Sequence, residues 1–296
     1  MLANAHQPAG ARRGVVIDGP PTVGKSTLVK LFAADLEKTL RRREPHKFQP
    51  HENDGYIVDY TPVVYISIPS QATPKDLSAA FAEWFNLPLR RAATKNEMTD
   101  AVLRATGLCG VQLIIIDDVH FLDLSAKEGK VVNDHLKYLA NHCAATFVFT
   151  GHDLETSGLF LEGGASERAT QTSGRNSLHK LGLFTIGTDD ERRAWANVVK
   201  TMEDALVLLD HKPGTLIRDH EYLHHRTGGS IASLSLLIRE AAIRAVVSSE
   251  EAITRKVLDQ VVIDRRATRG YDKFRKQHNI HHNGNPGRQE PPAEAS

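Results

Sequence analysis

The run Gly19-Pro20-Pro21-Thr22-Val23-Gly24-Lys25-Ser26-Thr27 has the residue types and spacing, G-x-x-x-x-G-K-[ST], that a polyphosphate chain requires. Its glycines let the backbone turn so that successive N–H groups point inward, an anion-binding nest at a helix N-terminus. Lys25 is placed to reach the outer phosphates, and the Ser26 hydroxyl to take one position on Mg²⁺. A second group lies downstream, where LIIIDD at 113–118 ends an apolar run in two carboxylates. Asp117 is the expected partner of Mg²⁺, directly or through water. Asp118 is the expected group that orients or deprotonates an attacking water. Many hydrolases of this class carry glutamate there; aspartate is a methylene shorter and predicts slow turnover.

Two further roles follow from that chemistry. Thr150, at the end of the next apolar run, is placed to hydrogen-bond a γ-phosphate or the water as a polar sensor. Hydrolysis also needs a cation near the γ-phosphate besides Lys25. An arginine from a neighbouring subunit would make turnover depend on assembly. Arg175 is the first candidate and Arg168 the second, both in the Gly-, Ser- and Thr-rich stretch 155–178. His220-Glu221-Tyr222-Leu223-His224 fits the zinc-hydrolase pattern H-E-x-x-H. No third ligand follows at a known spacing, so it reads instead as the polar face of a helix.

The elements that must position these groups alternate. A buried strand is expected at Val15–Asp18, then a helix over Ser26–Leu40 with Leu28, Leu31, Phe32 and Leu36 at helical spacing, ending in three arginines. His46–Asp59 reads as a loop and Pro62–Ile68 as a second strand. Thr73-Pro74 opens a helix carrying Leu77, Phe81, Trp84 and Phe85, and a further helix is expected over Asn96–Gly107. Strands are expected at Val111–Ile116, Ala145–Thr150 and Leu181–Ile186, with a helix at Ala126–Asn141. A strand and two helices separate the two motifs, so the strand bearing Asp117 is not adjacent in sequence to the one bearing the loop. This spacing points to the additional-strand branch of phosphate-loop enzymes.

After Gly187 only helices are expected: Asp189–Leu209, Thr215–Arg226, Ile231–Val247 and Ile253–Arg266. The fold class is thus an α/β phosphate-loop domain with a five-stranded parallel sheet over 14–187, then a small all-α lid over 188–268. Residues 1–13 read as a flexible lead-in and 269–296 as a disordered basic tail. A net charge of +1 gives no global argument for nucleic acid. Lys75, Arg90, Arg91 and Lys95 form one local cluster of cations, and Arg265, Arg266 and Arg269 another. Cys109 and Cys143 fit free core thiols in a reducing cytoplasm. Neither a signal peptide nor an apolar run of spanning length is seen.

The loop GPPTVGKST, the strand LIIIDDVH and five strands followed by helices resemble an AAA+ ATPase. More narrowly, TPVVYISIPSQATPKDL, RATQTSGRNSLH and TGGSIASLSLLIREAAIRAV are similar to the TniB/TnsC group of transposition ATPases, over roughly residues 14–266. The resemblance implies ATP and Mg²⁺ as ligands, Lys25 and Ser26 as nucleotide and metal contacts, and Asp117 and Asp118 as the Walker B pair. It also implies Thr150 as sensor 1 and Arg175 as the inter-subunit finger. Members of that group form homo-oligomers, rings or filaments, on double-stranded DNA, and recruit or activate a transposase, with a target-selector protein as a further possible partner.

Three departures stand out: Asp118 in place of glutamate, no arginine in the Gly228-Gly229-Ser230-Ile231 turn where many AAA+ proteins carry sensor 2, and a very short segment before the first strand. Two rival readings share the core, a helicase loader of the DnaC or IstB type and a STAND-like nucleotide-gated signalling module. The absence of a repeat or effector domain weighs against the second.

Overall fold

The computed structural model describes Asn4, Gln7 and residues 12–53, 55–69, 72–121, 127–154 and 176–277. It divides into two compact units, Met1–Gly182 and Leu183–Ser296.

The first unit is built on β1 (Gly14–Asp18), β4 (Val63–Ser67), β5 (Leu113–Asp117), β6 (Thr146–Gly151) and β7 (Asn176–Lys180), all parallel and in the order β4-β5-β6-β1-β7. β6 lies between the strand that feeds the phosphate loop and the strand that ends in Asp117. A parallel strand in mid-sheet is covered on both faces, which is why Leu113–Asp117 reads as an unbroken apolar run and is buried throughout. Its side chains alternate between two cores. Ile114 and Ile116 join Leu77, Phe81, Val102, Leu136, Leu139 and Phe149 from α2 (Pro74–Trp84), α3 (Lys95–Leu108), α4 (Lys127–His142) and β6. Leu113 and Ile115 join Ile17, Val148 and Val29 of α1 (Lys25–Arg43). Burying a side chain of this size stabilises by about 1.5–3 kcal/mol.

Several expectations shift. On α1 the sheet-facing residues are Val29, Ala33 and Leu36, whereas Leu28, Leu31 and Phe32 are exposed. Both sets have helical spacing, and only the position of the sheet decides between them. Trp84 is likewise 45% exposed on α2. Within the stretch expected as loop, β2 (His51–Asn53) and β3 (Tyr56–Val58) pair antiparallel, with Gly55 at positive φ between them. The fifth strand of the sheet is Asn176–Lys180 rather than Leu181–Ile186. As an edge strand with four exposed residues it shows no apolar pattern. Leu181 still continues its line, donating its N–H to Asp18 O at 2.7 Å. Near the N-terminus, where a mobile segment was expected, Asn4 is buried. It donates to Arg13 O at 2.6 Å and Thr146 Oγ1 at 2.9 Å.

Among the described residues the second unit is all helical: α5 (Asp189–Glu203), α6 (Thr215–Arg218), α7 (His220–Thr227), α8 (Ile231–Val247), α9 (Arg255–Gln260) and α10 (Arg265–Gln277). Its own core gathers Trp195, Leu216, Leu223, Leu234, Leu237 and Leu258, with Trp195 fully buried. Thr188 and Glu191 close a capping box on α5, a pairing that contributes about 1 kcal/mol. Gly229, at φ 74°, leaves room for Phe184; a Cβ there would lie 2.0 Å from Phe184 O. The basic segment from Arg269, expected to be disordered, is helical to Gln277 because Tyr271 and Phe274 give it an apolar side to dock. No helix among the described residues is long and apolar enough to cross a membrane.

Candidate nucleotide site

β1 delivers the chain to Gly19, where a Cβ would lie 2.1 Å from Leu181 O, so the loop can pass only as glycine. Thr22 and Gly24 then take positive φ, 71° and 91°, and turn the chain into α1. α1 has no side-chain cap and no acidic residue in its first turn. Its first N–H groups and the positive end of its dipole therefore face the loop without a carboxylate of their own. α2, α3 and α5 differ, each being closed by a Thr–Asp or Thr–Glu capping box.

Lys25, at the start of α1, is 9% exposed and donates from Nζ to Gly19 O at 2.7 Å and Pro20 O at 2.9 Å. Burial lowers its pKa, and the nearby Asp117, Asp18 and Asp118 act against that shift. One turn of backbone thus holds an ammonium against the carbonyls of its own loop.

Asp117 is the hub of the site. It is 1% exposed, and burial alone would raise its pKa. Hydrogen bonds from the Ser26 hydroxyl, Thr150, Tyr65 and the Asp118 backbone N–H outweigh burial and hold it below the usual carboxylate value. Tyr65 donates its hydroxyl to Oδ2 at 2.5 Å, Thr150 donates to Oδ1, and the Asp118 N–H reaches Oδ1 at 3.0 Å. The influence of the Ser26 hydroxyl on the Asp117 carboxylate sets the two expected metal ligands near one another. Two hard oxygens side by side, with the remaining positions left to phosphate and water, are the donor set that Mg²⁺ takes in such sites. Ser26 and Asp117 therefore fit the ion.

Asp118 sits at φ 61°, a left-handed conformation that aspartate tolerates better than most residues, and its Oδ2 accepts from Ser67 Oγ at 3.1 Å. Thr150, fully buried, directs its one hydroxyl hydrogen to Asp117 and so positions that carboxylate. Pro20, Pro21, Thr22, Val23 and Thr27 complete the loop, Val23 buried and Thr27 exposed. Arg168 and Arg175 lie outside the described residues.

Residues that the sequence reading passed over also belong here. In the sequence Tyr65 has only the residue type of a β-former; on β4 it is paired with Ile115 of β5, and its phenol is pushed up by burial and by Asp117. His120 and His152 follow β5 and β6, with ring centroids 4.0 Å apart. Burial and His152 lower the His120 pKa, which keeps that ring neutral. The H-E-x-x-H histidines serve packing instead: His220 Nδ1 lies 2.9 Å from Ile217 O and His224 Nε2 lies 2.7 Å from Phe184 O. Among the described residues no group of three or more His, Cys, Asp or Glu could hold a metal ion.

Residues 2–168, more than half of the chain, match the family model described as bacterial TniB protein. The chain belongs to the TniB family. No curated protein sequence matches this TniB chain. Among solved structures, the ORC2 protein of Aeropyrum pernix in ADPNP–ADP complexes superposes with a TM-score of 0.63 at 14% identity, covering 92% of this chain and 65% of that one. The Aeropyrum pernix ORC1 protein in complex with DNA gives 0.59 at 15% identity, covering 94% and 64%. Cdc6p from Pyrobaculum aerophilum gives 0.58 at 13%, covering 88% and 64%. The TniB chain thus spans slightly less than two thirds of these relatives. At such identities the likeness is one of fold: an α/β domain on a parallel sheet, followed by a helical C-terminal region.

Proposed function

We propose that this TniB chain is an ATP-dependent switch of the cytoplasm that assembles on double-stranded DNA and regulates transposition by engaging a transposase, with a target selector as a further partner. The observation that carries the reading is the parallel order β5-β6-β1, which brings the acidic strand end at Asp117 and the phosphate loop to the same end of the sheet. On a bound ATP, Lys25 would exchange its loop carbonyls for β- and γ-phosphate oxygens, and the first N–H groups of α1 would take the rest. Ser26 and Asp117 would hold Mg²⁺, whose charge neutralises the phosphates. Asp118 would orient the attacking water, held by Ser67 while it does so, and Arg175 or Arg168 of a second copy would supply the further cation. An exposed apolar stripe of Leu28, Leu31 and Phe32, beginning one turn after Lys25, supports association of copies into a ring or filament.

The proposal predicts that ATP or a non-hydrolysable analogue drives oligomers onto duplex DNA, and that added salt weakens them. Filter binding on duplex DNA, with and without nucleotide, measures this. Retention that is the same in both cases would remove the switch.

A further inference from the structure

We propose that the exposed face of α10 is a docking surface for the phosphates of duplex DNA. The inference rests on the DNA reading above and assigns the surface that performs it.

Charge is unevenly placed in this chain. α10 carries Arg265, Arg266, Arg269, Lys273, Arg275 and Lys276 against the single acid Asp272, while the whole chain is only +1. Relative to this helix, with its excess of five positive charges, the remainder is therefore negative, by four. At 100° per residue, Arg265, Lys276, Arg269, Lys273 and Arg266 fall within one arc of about 100°. All five are exposed. Among the described residues, none of the five has an ion-pair or hydrogen-bond partner for its side chain. Exposed cations in a folded domain commonly pair along their own helix; Arg41–Glu37 on α1 and Lys200–Asp204, at the end of α5, do so here.

The opposite face is already occupied. Ala267 is buried, Tyr271 packs edge-on to Tyr222 with centroids 6.0 Å apart, and Phe274 stacks on His225 at 3.8 Å. Arg226 lies over the Tyr271 ring at 5.2 Å. Asp264 caps the first turn, accepting the Ala267 N–H at 2.9 Å, and is tied to α8 by Ser233 at 2.6 Å. An amphipathic helix binds a bilayer through a free apolar face. Here that face is consumed by α7, so a membrane has nothing to receive. What α10 offers is a rigid row of charge.

From Arg265 to Lys276 the row is about 16 Å long at 1.5 Å per residue. Double-stranded DNA presents one phosphate per about 1.7 Å of axis, so several fall within reach of the row at once. Such contacts carry little base information; they add affinity and salt sensitivity.

The test uses the full chain with a non-hydrolysable ATP analogue, a duplex of fixed length and a salt titration. In B-DNA each lost phosphate contact lowers the slope of log K against log [salt] by about 0.9. The triple variant Arg269→Gln, Lys273→Gln, Lys276→Gln is expected to flatten the slope by about 2.7, with analogue binding unchanged. Arg269→Lys with Lys273→Arg and Lys276→Arg should restore the wild-type slope. A wild-type chain that binds duplex DNA, with a triple variant of the same slope and affinity, overturns the assignment alone. Absence of duplex binding by the wild type in every nucleotide state overturns the DNA reading and the assignment with it. Equal or tighter wild-type binding to duplex RNA, or to an acidic polypeptide, also overturns the assignment.

Discussion

Tyr65 donates its hydroxyl to Asp117 at 2.5 Å from the neighbouring strand, so the most buried carboxylate of the site is set by a residue 52 positions earlier in the chain. With Thr150, Ser26 and the Asp118 N–H, it leaves that carboxylate ionised in a place where burial alone would favour the proton. An ionised Asp117 is what a divalent cation needs.

That arrangement makes stability depend on pH in a definite direction. A carboxylate whose folded pKa is depressed contributes stability above its unfolded value, near 4, and loses the contribution as pH falls through the lower folded value. Tyr65→Phe removes one donor to a charged acceptor, a change of about 1.5–3 kcal/mol. Acid unfolding followed by circular dichroism should therefore begin at higher pH in the variant. Superimposable acid curves would mean that the tyrosine does not hold the carboxylate.

Lys25→Ala should reduce ATP affinity about a hundredfold, as expected for loss of two charge-assisted hydrogen bonds to phosphate. The fold should be retained, because what the ammonium now meets are carbonyls at the loop surface of α1. Calorimetric titration with ATP, alongside a thermal melt, reads both effects.

Asp118→Asn keeps the tolerance for positive φ and an oxygen for Ser67, yet removes the charge. ATP binding and melting temperature should stay near wild type while hydrolysis falls by about 10²–10⁴. Phosphate release under saturating ATP is the measurement, and turnover at the wild-type rate would dismiss Asp118 as the base.

For the second-copy cation, Arg175→Ala should abolish DNA-stimulated hydrolysis and leave ATP binding by the monomer intact. If Arg168→Ala gives that loss instead, the finger is Arg168.

The parts of this site that could be read from sequence are those whose chemistry is local. Gly19–Thr27 and LIIIDD are contiguous, and an unbroken apolar strand ending in acid signals burial on both faces without any knowledge of neighbours. Tyr65 was invisible because its role exists only in the register that pairs it with Ile115. On α1, Leu28, Leu31 and Phe32 compete with Val29, Ala33 and Leu36 for the inner face, and nothing in the helix itself ranks them. β7 was missed for the opposite reason: an edge strand needs no apolar alternation, so Asn176–Lys180 reads as loop. Composition is a poor guide at α10, where six cations conceal the Ala267–Tyr271–Phe274 stripe.

The chain has only two tryptophans, and each compact unit holds one. Trp84 is 45% exposed on α2, while Trp195 is enclosed in the helical core beside Phe184. Their emission spectra should differ accordingly, red-shifted for the first and blue-shifted for the second. The protein therefore contains its own pair of optical reporters, one for each unit, and needs no attached dye to show which unit responds first to nucleotide, DNA or denaturant.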